Sequence, residues 1–314
     1  MKFYLLLIIF LSNFAAVHSK PKLFSSDWPV WSITEGMKDS HLLDGFDYKI
    51  KKYETSLKWF RAGNLDVTFM TLYDFISIQP SKTPTVILGV TDYSNGGDKI
   101  ILRNDIKKIS DLRGKKILLA SNTISLWLLH NFLRSHGLTL DDVQIVNESV
   151  TLAPLLFKED KRYSAVVGWN PSIDGALDED AYVASTSSDF PRAIYDLIVA
   201  KKTVVDEHPE LIEAFVKSYY QSIRSDLIIS KTAQTLSVSV AEYKSWLGDA
   251  SIFPTRTASN NEYKSLLDSA RDIQAFLTVA PLSVQDNETR KRFKPRQLDF
   301  KSLMIQGTAT EINR

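Results

Sequence analysis

From Lys22 onward, short runs of β-branched and aromatic residues alternate with stretches whose apolar positions recur every three or four residues. That pattern predicts strands alternating with amphipathic helices, an α/β chain. "KLFSS" opens as a strand and runs into the loop "DWPVW"; "YKIKKYE" reads as a second strand. "SLKWFRAG" predicts a helix closed by Gly63, because glycine accepts the left-handed conformation that ends many helices. "DVTFM", "PTVILGV" and "KIILR" then read as strands, with "TLYDFISIQ" a helix among them.

A second series follows. Residues 115–120 form a strand, and "SNTISLWLLHNFLRSHG" a helix with hydroxyl and amide side chains at its start and Gly137 past its end. "DDVQIVN" and "YSAVVGW" are strands around the helix "LAPLLFKEDK". "AIYDLIVAKKTVV" returns to strand character, and "HPELIEAFVKSYYQSI" is a helix with proline in its first turn. The C-terminal third, with "VAEYKSWLGD" and "NNEYKSLLDSARDIQAFL", is helical and polar.

The N-terminus changes the picture. Lys2 precedes the apolar run "FYLLLIIFLSNFAAV", and "VHS" before Lys20 places small residues at the positions a signal peptidase reads, so residues 1–19 are expected to be a cleaved export signal. The chain has no cysteine, which excludes disulfides, thiolate metal sites, a cysteine nucleophile and attachment of lipid to an N-terminal cysteine. An exported protein without a lipid anchor stays in place behind an outer membrane, so the expected compartment is a periplasm. With 38 basic against 37 acidic residues, the chain lacks the clustered positive charge of a nucleic-acid binder.

In open α/β sheets, ligands bind beyond the carboxyl ends of the strands, where loops and helix starts converge. That rule selects Asp27, Trp28 and Trp31 after the first strand, and Thr71, Tyr73 and Asp74 after "DVTFM". It also selects Asp92, Tyr93, Ser94, Asn95, Gly96, Gly97 and Asp98 after "TVILGV", Ser121, Asn122 and Thr123 after "KILLA", and Trp169 and Asn170 after "SAVVG". The tryptophans and Tyr93 suit the wall of a cleft, since rigid rings bury large area and offer their faces to planar or cationic groups. "DYSNGGDK" reads either as a tight hairpin turn, for which Asn-Gly and Gly-Gly supply positive φ, or as a ligand loop in which glycine lets backbone approach closely.

Two features pull the ligand's charge in opposite directions. The helix start at Ser121–Thr123 could hold an anion on free N–H groups, although simple capping explains the same residues. Asp27, Glu35, Asp74, Asp92 and Asp98 fall in or near the same loops; two of them facing the ligand would repel an anion and favour an amine, a zwitterion or a pyrimidine-like ring. His130 and His136, six residues apart, lie about 120° apart on a helix and make no metal pair. HExxH, GxSxG and Walker motifs are absent, no cofactor is called for, and the chain is expected not to be an enzyme.

Four segments, in order, resemble the periplasmic solute-binding proteins of ABC importers for nitrate, sulfonates and taurine, with the related thiamine-pyrimidine binders. They are "DWPVWSITEGM", "SLKWFRAGNLDVTFMTLYDF", "DYSNGGDKIILRNDIKKISDLRGKKI" and "YSAVVGWNPSID". Ser164 and Asn170 depart from the acids usual at those places. The resemblance implies the two-lobed type II binding-protein fold, mixed sheets flanked by helices, with crossovers near Arg103–Ile109 and Phe190–Ile194. Lobe one would comprise residues 20–104 and 191–314, and lobe two residues 105–190. It implies a monomer that captures a small-molecule ligand by lobe closure and delivers it to an ABC permease. A periplasmic sensor module is the alternative; a thiamine-pyrimidine synthase, whose hallmark is a cysteine-rich motif, is the enzyme rival.

Overall fold

The computed structural model describes residues 19–78 and 84–279. All of the expected export signal except Ser19 lies outside them. The first part of the chain forms β1 (Lys22–Ser25), α1 (Pro29–Lys38), β2 (Asp47–Ile50), α2 (Tyr53–Arg61), β3 (Val67–Thr71), α3 (Leu72–Ile78) and β4 (Thr85–Ser94). The middle forms β5 (Asp98–Arg103), β6 (Lys116–Leu119), α4 (Ile124–Ser135), β7 (Gln144–Asn147), α5 (Ala153–Glu159), β8 (Tyr163–Trp169) and β9 (Ala181–Thr186). The chain returns through β10 (Tyr195–Lys201), α6 (Lys202–Glu207), α7 (Pro209–Ser222), α8 (Asp226–Thr235), α9 (Val240–Leu247), β11 (Ala250–Ile252), α10 (Arg256–Asn261) and α11 (Tyr263–Val279).

These strands make two mixed sheets. The six-stranded sheet has the order β11-β4-β10-β3-β1-β2, and the five-stranded sheet the order β7-β6-β8-β5-β9. Within the first, β1, β2 and β3 are parallel while β10 runs antiparallel between β3 and β4. Within the second, β6, β7 and β8 are parallel and β5 runs antiparallel between β8 and β9. The inner strands β3, β4 and β8 are buried on both faces, as their near-continuous apolar runs require when helices cover a sheet, while the edge strands β2, β7 and β9 are partly exposed.

Three expectations are corrected. The segment after β1 is not a loop through Trp31: Pro29 takes the first helical position, where its missing N–H costs nothing, so α1 starts there with Trp28 as its N-cap. "KKTVV" leaves the sheet at Lys201 and turns into α6. The first passage between the sheets lies at Asn95–Gly97 rather than Arg103–Ile109, because β4 pairs in the first sheet as far as Ser94 and β5 pairs in the second from Asp98. Asn95 and Gly97 both donate their backbone N–H to the Asp249 carbonyl, at 2.9 and 3.1 Å, and Gly96 sits at φ +123°, so the chain reverses sheets in three residues. The return passage lies within residues 187–194, between β9 and β10.

The C-terminal helices close the back of the first sheet and reach the second. α8 lies so close to α1 that a Cβ on Gly36 would stand 2.4 Å from the Ile228 carbonyl. On α11, Phe276 meets Tyr73 of α3 at a ring separation of 6.4 Å and Trp127 of α4 at 5.2 Å.

Candidate functional site

The two sheets turn the carboxyl ends of their parallel strands toward one cleft. From the first sheet come Trp28 and Trp31 at the start of α1, Tyr53 at the start of α2, Thr71 at the end of β3, and Ile194 and Asp196 at the start of β10. From the second come Asp98 at the start of β5, Ile124 at the start of α4 and Trp169 at the end of β8. About 280 Å³ of space, open in part to solvent, lies between these side chains.

Register explains why these side chains meet. Asp196 stands opposite Thr71 on β3 and opposite Asp92 on β4, so three polar residues form a row across the first sheet. In the second sheet Asp98 stands opposite Trp169. The aromatic rings form a continuous array: Trp28 meets Trp31 edge-on at 6.4 Å, Trp31 meets Tyr53 at 5.4 Å, and Tyr53 meets Trp169 of the other sheet edge-on at 5.7 Å.

Hydrogen bonds hold the rings from behind. Trp28 donates its indole N–H to Asp92 (3.3 Å), and Trp31 donates to the Thr91 hydroxyl, which in turn donates to Asp92 (2.6 Å). The Tyr53 hydroxyl donates to Asp74 (2.6 Å) and accepts the backbone N–H of Thr71 (3.0 Å), while the Thr71 hydroxyl donates to the same carboxylate oxygen (2.8 Å).

The site is acidic. Asp74, Asp92, Asp98 and Asp196 are all buried, and among the described residues no lysine, arginine or histidine lines the cleft. The carboxyls of Asp92 and Asp196 are hydrogen-bonded to each other, and both are held above the usual carboxylate range, chiefly by burial. Two carboxylates this close cannot both ionise, so the pair shares a proton. Burial pushes Asp98 up to about 7, with the Ser94 hydroxyl opposing and the charge of Asp92 adding to the shift. Asp74 is pushed up to about 7 by burial, against the hydrogen bonds from Tyr53 and Thr71.

A pH dependence follows. In an unfolded chain such carboxyls titrate at about 4, so between that value and about 7 the folded state binds more protons than the unfolded one. Stability must therefore fall as pH rises through that window. Between about pH 5 and pH 8 the ligand-free protein is expected to lose on the order of 1–2 kcal/mol more than its Asp98→Asn variant loses, by urea unfolding at each pH. Equal slopes would mean that Asp98 is already ionised in the folded protein.

Of the residues singled out from sequence, the structure brings Trp28, Trp31, Thr71, Asp98 and Trp169 together at the cleft, with Asp74 and Asp92 directly behind the rings. The others fall elsewhere. Tyr93 points to the opposite face from Asp92, packing on Tyr195 and Phe253 beneath the Arg192 guanidinium. Tyr73 packs toward Phe276. Ser94 bonds the Ser187 hydroxyl across the two passages (2.7 Å), and that hydroxyl also accepts the Gly96 N–H (2.8 Å). Asn95 is exposed, whereas Gly97 backs the Trp28 ring and accepts the Asn170 N–H. "SNGGD" is thus the passage between sheets, and only its last residue lines the cleft.

Ser121 donates its backbone N–H and its hydroxyl to the Asn147 side chain, Asn122 is exposed, and Thr123 caps α4, so capping accounts for this helix start. Asn170 donates its side-chain amide to Asp249 (2.6 Å). Asp27 keeps one carboxyl oxygen buried without a partner, and burial raises its pKa. Glu35 lies on α1 and accepts the Tyr48 hydroxyl, away from the cleft. Sequence reading missed Tyr53, Ile124, Ile194 and Asp196. An acid opening the otherwise apolar run "YDLIVA" was the one available signal for Asp196.

Residues 85–225 match the family model described as NMT1/THI5 like. A protein of Brucella abortus, provisionally named a binding protein, is 25% identical over 187 residues, which cover 58% of this chain and 57% of that one, so the match spans little more than half the length of this relative. Among solved structures, the alkanesulfonate-binding protein SsuA from Xanthomonas axonopodis pv. citri superposes with a TM-score of 0.67 at 14% identity, covering 91% of this chain and 98% of that one. The periplasmic nitrate-binding protein NrtA from Synechocystis does so at 0.56 and 14%, over 72% and 69%. The desulfurization enzyme DSZB does so at 0.55 and 18%, over 87% and 100%. At these identities the likeness to solved structures is one of fold, and the fold is that of the two-lobed binding proteins.

Proposed function

On this two-lobed fold, with its NMT1/THI5-like stretch over residues 85–225, we propose that the chain is the solute-binding component of an ABC importer, captures a small organic solute between its sheets and hands it to a membrane permease. One observation carries the reading: a single cleft is lined from both sheets, with Tyr53 of one touching Trp169 of the other. A solute bound there touches both lobes only when they are closed, so it shifts the population toward the closed form. The protein works as a monomer in the periplasm, after removal of residues 1–19. Among the described residues no helix is long and apolar enough to cross a membrane, which fits a partner permease as the membrane-spanning part.

The chain binds its solute without transforming it. The sequence has no cysteine to act as a nucleophile, and the lining groups that could act as a base are the carboxyls of Asp98 and Asp196, which this reading assigns to holding the solute. DSZB marks the enzyme alternative on the same fold.

A thermal-shift screen of the mature protein against alkyl sulfonates, nitrate, amines and aminopyrimidines tests the proposal, because a solute bound only by the folded state raises its stability. Trp28→Ala and Trp169→Ala are each expected to weaken the best hit at least tenfold, about 1.4 kcal/mol. Unchanged affinity in both would place the site elsewhere. Mass spectrometry after long incubation should return the solute intact; a new product would favour the enzyme.

A further inference from the structure

We propose that the solute is a small organic cation, its charge set between Asp98 and Asp196 and its apolar part enclosed by Trp28, Trp31, Tyr53 and Trp169. This assignment rests on the solute-binding reading above and deepens it. Two independent features of the cleft converge on it. One is the carboxyl set, with Asp98 and Asp196 on the lining and Asp92 bonded to Asp196 behind it. The other is the aromatic array that crosses from one sheet to the other.

Ring faces carry negative charge density and attract cations, most strongly when water is excluded, and aromatic cages of this kind suit quaternary ammonium groups. Carboxyls beside the rings supply the full countercharge. A sulfonate or nitrate would find no lysine, arginine or histidine on the lining, and the start of α4 is already capped by Thr123. Asp27 Oδ1 and the Ser125 hydroxyl, at the starts of the two helices that bring Trp28 and Ile124 to the lining, are buried with no partner.

A cation also settles the charge balance of the site. The titratable groups around Asp98 and Asp196 are Asp92 on β4, Asp74 on α3, Tyr53 on α2 and Tyr219 on α7, all acids or phenols. Without a counterion these carboxyls keep protons that solvent would strip from them. A bound cation displaces protons, so a permanently charged solute must bind more tightly as pH rises from about 5 to 8.

The test is calorimetric titration of the mature protein with choline, with its uncharged isostere 3,3-dimethylbutan-1-ol and with ethanesulfonate, alongside thermal shifts with tetramethylammonium and primary alkylamines. Choline should bind at least tenfold more tightly than the isostere and gain affinity from pH 5 to pH 8. Asp98→Asn and Asp196→Asn should each remove that preference; both replacements keep a hydrogen-bonding group of the same size, and their thermal unfolding shows whether they fold. Binding of the isostere or of ethanesulfonate as tight as that of choline overturns the cation assignment. So does a set of cations that all fail while an anion or a neutral ring raises the melting temperature, a result that leaves solute capture standing. Silence from every class overturns solute capture together with it.

Discussion

Replacing Trp31 by alanine is expected to destabilise the protein by about 3–5 kcal/mol, the range for removing a large buried aromatic side chain. Trp31 is 3% exposed although it lines the cleft, because the rest of its ring is built into the first lobe's core. It stacks on Phe69 at 6.0 Å, meets Tyr53 at 5.4 Å and bonds Thr91 through its indole N–H. Phe69 in turn packs on Phe215 and Tyr219 of α7, so the cavity left by truncation would open into the packing between the sheet and that helix. Urea unfolding of the variant measures the loss. A change below about 1 kcal/mol would mean that the ring is free to leave its place, and Trp31 would then belong to the cleft alone.

Gly97→Ala is expected to cost about 1–3 kcal/mol of stability and at least tenfold in affinity for whatever solute the screen identifies, about 1.4 kcal/mol. A Cβ at residue 97 would stand 2.4 Å from Cη2 and 2.9 Å from Cζ3 of Trp28. The indole is rigid and buried, and its N–H is engaged by Asp92, so it cannot swing aside without leaving that bond. The same methyl would press on the Asp249 carbonyl at 3.3 Å, which accepts the two N–H groups that fasten the passage between the sheets. Gly175→Ala is the control, since nothing lies within 4 Å of a Cβ there. If Gly97→Ala melts and binds like this control, Trp28 is not held against the passage as described.

These two residues show how unevenly the site could be read from sequence. Trp31 and Gly97 were both picked as ligand-facing, yet Gly97 acts by making room for Trp28 and Trp31 acts as much in the core as in the cleft. Asp92 and Tyr93 were picked together as the start of the loop after "TVILGV", yet both lie within β4; side chains alternate along a strand, so Asp92 turns toward Asp196 and Tyr93 toward Phe253. Asp196 was missed because the strand-end rule looks at carboxyl ends. β10 runs antiparallel, so it is the amino end of that strand that meets the carboxyl ends of β3 and β4. Tyr53 was missed because it opens a helix in a stretch whose β-branched neighbours suggested more strand.

The sequence by itself determined the α/β alternation, the order of most strands and helices and the exclusion of cysteine chemistry, because periodicity and end signals are local and residue types are given outright. It also determined that aromatic residues and acids would gather at strand ends. Which acids face one another, where the chain leaves one sheet for the other, and which ring of one lobe touches which ring of the other were decided by the tertiary structure. Those outcomes depend on strand pairing between residues as far apart as Asp92 and Asp196, or Asp98 and Trp169. Local pattern says only that a side chain is buried, and long-range register says against what.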